Sequence, residues 1–138
     1  MKNDNLVIWN DSYSVQFNRI DDQHKELVRM TNELLGACNR GNNRSDSSFM
    51  KTIQAAVNYA KSHFTTEEVY METVSYPEIQ LHKKEHKGFV DEVLRQVKNF
   101  EEGKSEPLTF ALFLKNWLLN HIAVSDKKYV PFLASIRE

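Results

Sequence analysis

Residues 63–86 read HFTTEEVYMETVSYPEIQLHKKEH, and this stretch decides the fold. It opens with His63 four residues before Glu67, and it closes with His82 four residues before His86. Side chains four residues apart lie on one face of an α-helix, with their Cβ atoms about 5–6 Å apart. The stretch therefore predicts two successive helices, each of which carries a pair of metal-ligand side chains.

The break between these two helices is Ser75-Tyr76-Pro77. The helix before it is predicted from Ser45 or Ser47, either of which could cap it, to about Thr73. Pro77 suits the first turn of the helix after it. Inward positions recur every three or four residues, at Phe49, Ile53, Ala56, Ala60, His63, Glu67 and Tyr70 on the first of these helices and at Ile79, His82, His86, Phe89, Val93, Val97 and Phe100 on the second.

One more helix is predicted on each side of this pair. The earlier one runs from about Asp21 to Cys38, and a turn follows it at residues 40–43. The later one starts near Leu108, after a break at residues 103–107. Their inward positions are Leu27, Met30, Leu34, Leu35 and Cys38, with His24 on the same face, and Phe110, Leu114, Trp117, Leu118 and His121.

This pattern predicts an all-α protein, an up-down-up-down antiparallel four-helix bundle with an extended N-terminal arm. Residues 1–138 are expected to form a single domain. Residues 1–19 form the arm, because no helical period is sustained there, and residues 20–138 form the bundle and a C-terminal segment. A chain of 138 residues can bury about two-thirds of its unfolded surface.

Seven potential metal ligands converge in this topology. Antiparallel neighbours place the starts of the first and third helices at the same end of the bundle as the ends of the second and fourth. These are the positions of His24, of His63 with Glu67, of His82 with His86, and of His121 with Asp126. Every histidine of the chain is included, and scattered histidines would not be expected to share one end.

His121 and Asp126 are five residues apart, which places them about 140° apart around an ideal helix. Both can face the same interior only if the helix widens or ends between them. A π-bulge is one physical solution, and such bulges are frequent at functional sites.

Five imidazoles with two carboxylates suit iron, zinc, copper or manganese. The set is too large for one tetrahedral zinc ion. It is about right for two six-coordinate metal ions that share bridging ligands, so the count predicts a dinuclear site.

The composition excludes several classes of protein. The net charge is −1, from 18 Lys+Arg and 19 Asp+Glu, which leaves no basic excess for nucleic acid. The single cysteine, Cys38, excludes an internal disulfide and suits a reducing compartment. The first residues lack the apolar core of a signal peptide, and no apolar stretch is long enough to span a bilayer. We therefore expect a cytoplasmic monomer with no membrane span.

Several motifs together resemble the bacterial hemerythrins over nearly the whole chain. They are Trp9, Asp21-Asp22-Gln23-His24, His63-Phe64-Thr65-Thr66-Glu67-Glu68, Tyr76-Pro77, His82-Lys83-Lys84-Glu85-His86, Trp117-Leu118-Leu119-Asn120-His121-Ile122 and Asp126-Lys127-Lys128-Tyr129. One departure is Gln16, in Val15-Gln16-Phe17, where relatives often have glycine.

The resemblance implies two iron ions in a non-heme di-iron centre with an oxo or hydroxo bridge, which binds dioxygen reversibly. By the same resemblance, His82, His86 and His121 hold one iron, and His24 and His63 hold the other. Glu67 and Asp126 bridge the two ions.

The resemblance thus implies an oxygen carrier, store or delivery protein and not an enzyme. Four-helix di-iron oxygenases and ferritins use four carboxylates and two histidines in E-x2-H motifs, and this chain contains none. Two alternatives stay open. One is a dioxygen or redox sensor, which would need a separate, unidentified protein partner. The other is a di-iron enzyme that handles peroxide or nitric oxide.

The polar neighbours of the ligands are expected to have ordinary roles. Glu68 is interpreted as a helix-surface acid, and Gln23 and Asn120 as surface polar residues in preference to groups that orient imidazoles. Glu85 is expected to face solvent or to touch a ligand from outside. Cys38 is expected to be a small buried hydrophobe.

Overall fold

The computed structural model describes residues 6–39, 47–104 and 106–135. Four main helices account for most of this part of the chain, and the all-α prediction is confirmed. They are α1 (Asn18–Asn39), α2 (Ser47–Thr73), α3 (Ile79–Glu101) and α4 (Pro107–Asn120). A π-helical turn, His121–Ser125, continues α4 and leads into a 3-10 helix, Asp126–Ser135.

The helices form the predicted bundle, because each one packs on the next along the chain and α4 closes the ring against α1. A continuous apolar core runs between them. Its fully buried members include Leu34, Leu35, Ile53, Val93, Phe110 and Ala111. Several positions predicted to face inward are only partly buried, namely Met30, Cys38, Tyr70, Ile79, Val97 and Trp117. The turn at residues 40–43, Ser45 and the side chain of Phe49 lie outside the described residues.

The prediction for Pro77 is wrong, because α3 begins two residues later, at Ile79. The reason is the way in which α2 ends. Ser75 adopts a left-handed conformation with φ 55° and donates its N–H to the carbonyl of Glu72, while Tyr76 donates to the carbonyl of Met71. This pair of bonds is a Schellman motif, which usually has glycine where Ser75 stands. Pro77 therefore follows a helix stop and does not begin a helix.

The N-terminal arm packs on the bundle, as predicted, with a short 3-10 helix at Asp11–Tyr13. The side chain of Asn32 on α1 accepts a hydrogen bond from the Val7 N–H at 2.7 Å and donates one to the Val7 carbonyl at 2.8 Å. Asp21 fixes the end of the arm, since its carboxylate accepts bonds from the Ser14 hydroxyl and the Val15 N–H. The arm is thereby attached directly before the turn of α1 that carries His24.

A second apolar cluster covers the end of the bundle at which α1 and α3 begin. The arm, the end of α2 and the C-terminal 3-10 helix contribute to it, through Val15, Phe17, Ile20, Met71, Tyr76, Tyr129 and Leu133. This cover keeps solvent away from the side chains that lie between the two clusters.

Candidate metal centre

All seven predicted ligands lie together inside this end of the bundle. Each is at most 4% exposed: His24, His63, Glu67, His82, His86, His121 and Asp126. They form two overlapping groups whose ligand atoms lie within 4.8 Å of one another. One group is Glu67, His82, His86 and His121, and the other is His24, His63, Glu67 and Asp126. We call them the three-histidine cluster and the two-histidine cluster.

Asp126 lies between the two clusters and presents one oxygen to each. Its Oδ1 is 2.9 Å from the Nε2 atoms of both His82 and His121, and its Oδ2 is 2.8 Å from Nε2 of His24. This is the placement expected of a carboxylate that joins two cations.

Glu67 divides its oxygens in the same way. Oε1 is 3.1 Å from Nε2 of His86 and 3.5 Å from Nε2 of His121. Oε2 is 3.5 Å from Nε2 of His63 and 3.6 Å from Nε2 of His24. The adjacent ligands of a six-coordinate ion with bonds of about 2.1 Å lie about 3 Å apart, so these separations suit one ion in each cluster.

Asp126 reaches this position because the fourth helix widens. The N–H of Asp126 donates to the carbonyl of His121, five residues earlier, and the intervening turn is π-helical. A π-turn brings residue i+5 back over residue i, where an α-helix would place it on another face. The sequence prediction that the helix widens or ends between these residues is confirmed.

Outer contacts orient several of the imidazoles. The Nδ1–H of His63 donates to Oε1 of Gln23 at 2.6 Å, and that of His86 donates to Oε2 of Glu68 at 2.8 Å. Nδ1 of His121 is 3.3 Å from Oε1 of Glu85. The interpretations of Gln23 as a surface polar residue and of Glu68 as a helix-surface acid are therefore wrong, because each accepts a hydrogen bond from a buried imidazole.

Sequence reasoning could not have assigned Glu68, because the histidine it contacts is on the neighbouring helix. Asn120, in contrast, is exposed, as expected. Tyr129 is a further residue whose role was missed. Its hydroxyl donates to Oε2 of Glu67 at 2.6 Å, although 62 residues separate the two in the chain.

The protonation of the imidazoles provides a test of whether a cation fits. Since the Nδ1 atoms of His63 and His86 carry the donated protons, their Nε2 atoms hold lone pairs in the neutral rings. Nε2 of His86 lies 3.2 Å from Nε2 of His121 and 3.1 Å from a carboxylate oxygen of Glu67. Lone pairs so close together repel unless a proton or a metal ion lies between them.

Buried polar atoms that lack a hydrogen-bond partner among the described residues provide a second test of whether a cation fits. They are His24 Nδ1 and Nε2, His63 Nε2, His82 Nε2, His121 Nδ1 and both carboxylate oxygens of Asp126. Several of these atoms are within 3 Å of one another but are poorly aligned for hydrogen bonds. An unpaired buried polar atom costs about 1–3 kcal/mol, so the arrangement fits a metal ion in each of the two clusters.

The pKa values describe the same site without metal. Burial disfavours the charged forms of His24 and His82, but the carboxylates of Asp126 and Glu67 outweigh burial and raise the pKa of each imidazole to about 9. Burial lowers the pKa of His63. Burial alone would raise the pKa of Glu67, yet the surrounding imidazoles hold it well below its usual range. Protons thus supply the positive charge that the carboxylates require.

Aromatic rings and a small cavity border the ligands. Phe64 stacks on the ring of His86 with centroids 3.9 Å apart, and Trp117 stacks on His121 at 4.5 Å. Beside them is a small cavity with a volume of about 20 Å³. His24 and His63 of the two-histidine cluster line it together with His121 of the three-histidine cluster. Its other walls are almost all apolar, including Leu27, Ala56, Ala60, Phe89, Leu114 and Leu118.

The fold and the site together define a class: helical-bundle proteins with a buried pair of histidine–carboxylate metal sites. Comparison with known proteins gives the family. The hemerythrin HHE cation binding domain matches residues 16–133. The chain belongs to the hemerythrin family.

Individual relatives agree with this assignment. A bacteriohemerythrin of Methylococcus capsulatus is 34% identical over 116 residues, which cover 83% of this chain and 86% of that protein. A myohemerythrin of Theromyzon tessulatum is 34% identical over 122 residues, which cover 88% of each. A crystal structure of wild-type hemerythrin matches with a TM-score of 0.83 at 33% identity, covering 94% of this chain and 98% of that one.

Proposed function

We propose that this protein binds dioxygen reversibly at a non-heme di-iron centre and acts as an oxygen carrier, store or delivery protein. In this proposal His82, His86 and His121 would hold one iron, and His24 and His63 would hold the other. Glu67 and Asp126 would offer carboxylate oxygens to both ions.

Among the metals that imidazole and carboxylate ligands can bind, we infer iron for this member of the hemerythrin family. Imidazole and carboxylate ligands in two six-coordinate positions match iron, and the count exceeds what tetrahedral zinc requires. When bound, ferrous iron supplies the electrons that dioxygen takes up. The protein provides the positions of the ligands and a dry, apolar surrounding.

The observation that carries the proposal is the cavity beside His24 and His63. An opening of about 20 Å³ is large enough for one or two water-sized molecules and too small for an organic substrate. Its apolar walls favour an uncharged ligand such as dioxygen over water. Apart from the imidazoles, the polar groups of its described lining are the Thr31 hydroxyl, which already donates to the Leu27 carbonyl at 2.9 Å, and the indole N–H of Trp117. With the imidazoles assigned to the metal ions, none of the other described lining residues is a general acid or base.

The size of the cavity also supports a second candidate function. Nitric oxide is similar in size to dioxygen and equally uncharged, so a di-iron enzyme that handles nitric oxide would use the same space. Such an enzyme would consume its substrate steadily when a reductant is supplied, whereas a carrier would only bind and release it.

Stopped-flow absorption spectroscopy of the reduced, iron-loaded protein separates these functions. After mixing with dioxygen, we expect a distinct coloured adduct that disappears when dioxygen is removed and returns when it is added again. Metal analysis of the same sample should give about two irons per chain. Direct decay to oxidised iron, or one zinc per chain after expression with iron available, would refute the proposal.

The chain offers a matched pair of variants for this experiment. Ala56 lines the cavity and is 5% exposed, while its neighbour Ala55 is exposed. Ala56→Leu should retain two irons but weaken dioxygen binding by about tenfold or more, because crowding a packed interior costs about 1–3 kcal/mol. Ala55→Leu should behave like the unmodified protein. Equal dioxygen affinity in both variants would exclude this cavity as the ligand site.

A further inference from the structure

The outer contacts of the two clusters differ in charge. Two of the three imidazoles in the three-histidine cluster have a carboxylate behind them, Glu68 on His86 and Glu85 on His121. In the two-histidine cluster, His63 donates to the neutral amide of Gln23. The Nδ1 atoms of His24 and His121 both lack a hydrogen-bond partner among the described residues, but Oε1 of Glu85 lies 3.3 Å from that of His121.

A carboxylate that contacts Nδ1 of an imidazole makes Nε2, which faces the metal, a stronger electron-pair donor. Its negative charge also attracts the metal cation directly. The effect of a neutral amide is much smaller. The three-histidine cluster therefore combines three imidazoles with two outer negative charges, while the two-histidine cluster has two imidazoles and no outer charge among the described residues.

Tyr129 increases the difference. Its hydroxyl donates to Oε2 of Glu67, which is the oxygen that faces His63 and His24. The hydrogen bond withdraws charge from that oxygen, while Oε1, which faces His86, keeps its charge for the three-histidine cluster. The bridging carboxylate is thus polarised toward the same side as Glu68 and Glu85.

We infer that the two metal positions are filled in a fixed order: the three-histidine position binds metal first and more tightly, and Glu68 and Glu85 set this order. The inference rests on the proposed di-metal function. In it, Glu68 and Glu85 are positioning residues, which act through His86 and His121 and do not touch the metal.

Both acids are accessible to substitution. The side chain of Glu68 is 30% exposed and that of Glu85 is 45% exposed, so replacement by glutamine leaves no buried charge unpaired. Glutamine has nearly the same shape. At position 68 it can still accept the hydrogen bond from Nδ1 of His86, and at position 85, where Nδ1 of His121 makes no hydrogen bond, it removes only the nearby charge.

The test is a titration of the metal-free, full-length protein with cobalt(II) without oxygen, followed by optical absorption. We expect two steps of one metal each, with dissociation constants at least tenfold apart. His63→Ala should keep the tighter step and lose the weaker one. Glu68→Gln and Glu85→Gln should each weaken the tighter step by about 10- to 100-fold and leave the weaker step unchanged.

Gln23→Ala is the matched control, because it removes the outer contact of the other cluster and should affect the weaker step alone. Circular dichroism of each metal-free variant confirms that the helices form. Any of three results would overturn the inference. The two metals could bind with equal affinity, His63→Ala could lose the tighter step, or the two glutamate variants could weaken both steps equally. Binding of fewer than two metals by the unmodified protein would instead refute the proposed function.

Discussion

Single residues of the site have buried polar atoms so close together that each contact needs a proton or a metal ion. His82 shows this, since its Nε2 is buried, lacks a hydrogen-bond partner among the described residues and lies 2.9 Å from Oδ1 of Asp126. His82→Ala should weaken iron binding by more than the 10- to 100-fold that is typical for loss of an outer contact, so that metal analysis finds fewer than two irons per chain. Glu101→Ala, at the exposed far end of the same helix, should retain full occupancy by metal analysis. Equal iron content in both variants would remove His82 from the site.

Gln16 is strained in a way that leads to a prediction about stability. Its φ is 58°, in the left-handed region, which costs a non-glycine residue about 1–2 kcal/mol. Because glycine loses about 0.5–1 kcal/mol through its extra freedom when unfolded, Gln16→Gly should raise the free energy of unfolding by about 0.5–1 kcal/mol. Gln16→Ala keeps the strain and should give no gain. Denaturant unfolding of both variants measures this, and a destabilised glycine variant would contradict the strain argument.

The site residues that could be predicted from the sequence are those whose spacing along one helix places them on the same face. His63 with Glu67 and His82 with His86 are recognisable because one helix face holds each pair. Gln23, Glu68 and Tyr129 are not recognisable, because their contacts depend on how neighbouring helices and the C-terminal segment pack. Spacing along one element can be read from a chain, whereas distances between elements cannot.

At the scale of elements, the π-helical turn at His121–Ser125 is what brings Asp126 into the site. Insertion of one alanine after Val124, which is 49% exposed, would lengthen the five-residue spacing to six. Each residue turns an α-helix by about 100°, so a spacing of six places the carboxylate about 120° away from His121 around the helix.

We therefore expect the insertion variant to stay helical by circular dichroism and to bind fewer than two irons per chain. Val124→Ala keeps the spacing and should bind two. An insertion variant that retains both irons would show that the five-residue spacing is not needed.

The same turn shows how far sequence can predict an element. The five-residue spacing of His121 and Asp126 predicted an irregular helix between them, and the structure has a π-helical turn there. The end of α2 was predicted at the correct residue, but its Schellman motif was not, since Ser75 stands where glycine would have signalled it. The start of α3 was misplaced for the same reason.

At the scale of the whole molecule, the buried histidines link stability to pH. The pKa values of His24 and His82 are raised to about 9 in the metal-free fold, against about 6.5 when unfolded. Between these pH values the folded state holds more protons than the unfolded state, so the stability of the metal-free protein should fall as pH rises from about 6.5 to 9.

Metal-loaded protein should not show this fall, because its imidazoles are already neutral when they bind metal. Thermal unfolding of both forms across this pH range measures the difference. Parallel curves for the two forms would contradict the role of these histidines.

None of the helices in the described part of the chain combines the length and the apolar character that a membrane span requires.

The architecture of the molecule was predictable because four apolar stripes and short connections allow few arrangements. The cavity beside His24 was not predictable, because it arises where small side chains such as Ala56 and Ala60 from one helix meet larger ones from the others.

We propose that this end of the bundle holds two irons. A crystal structure of the iron-loaded protein, with anomalous scattering measured at the iron edge, would locate them. We expect two anomalous peaks, one in the three-histidine cluster and one in the two-histidine cluster, with one oxygen of Glu67 and one of Asp126 beside each peak. A single peak, or two peaks with Asp126 bound to neither, would refute the di-iron proposal.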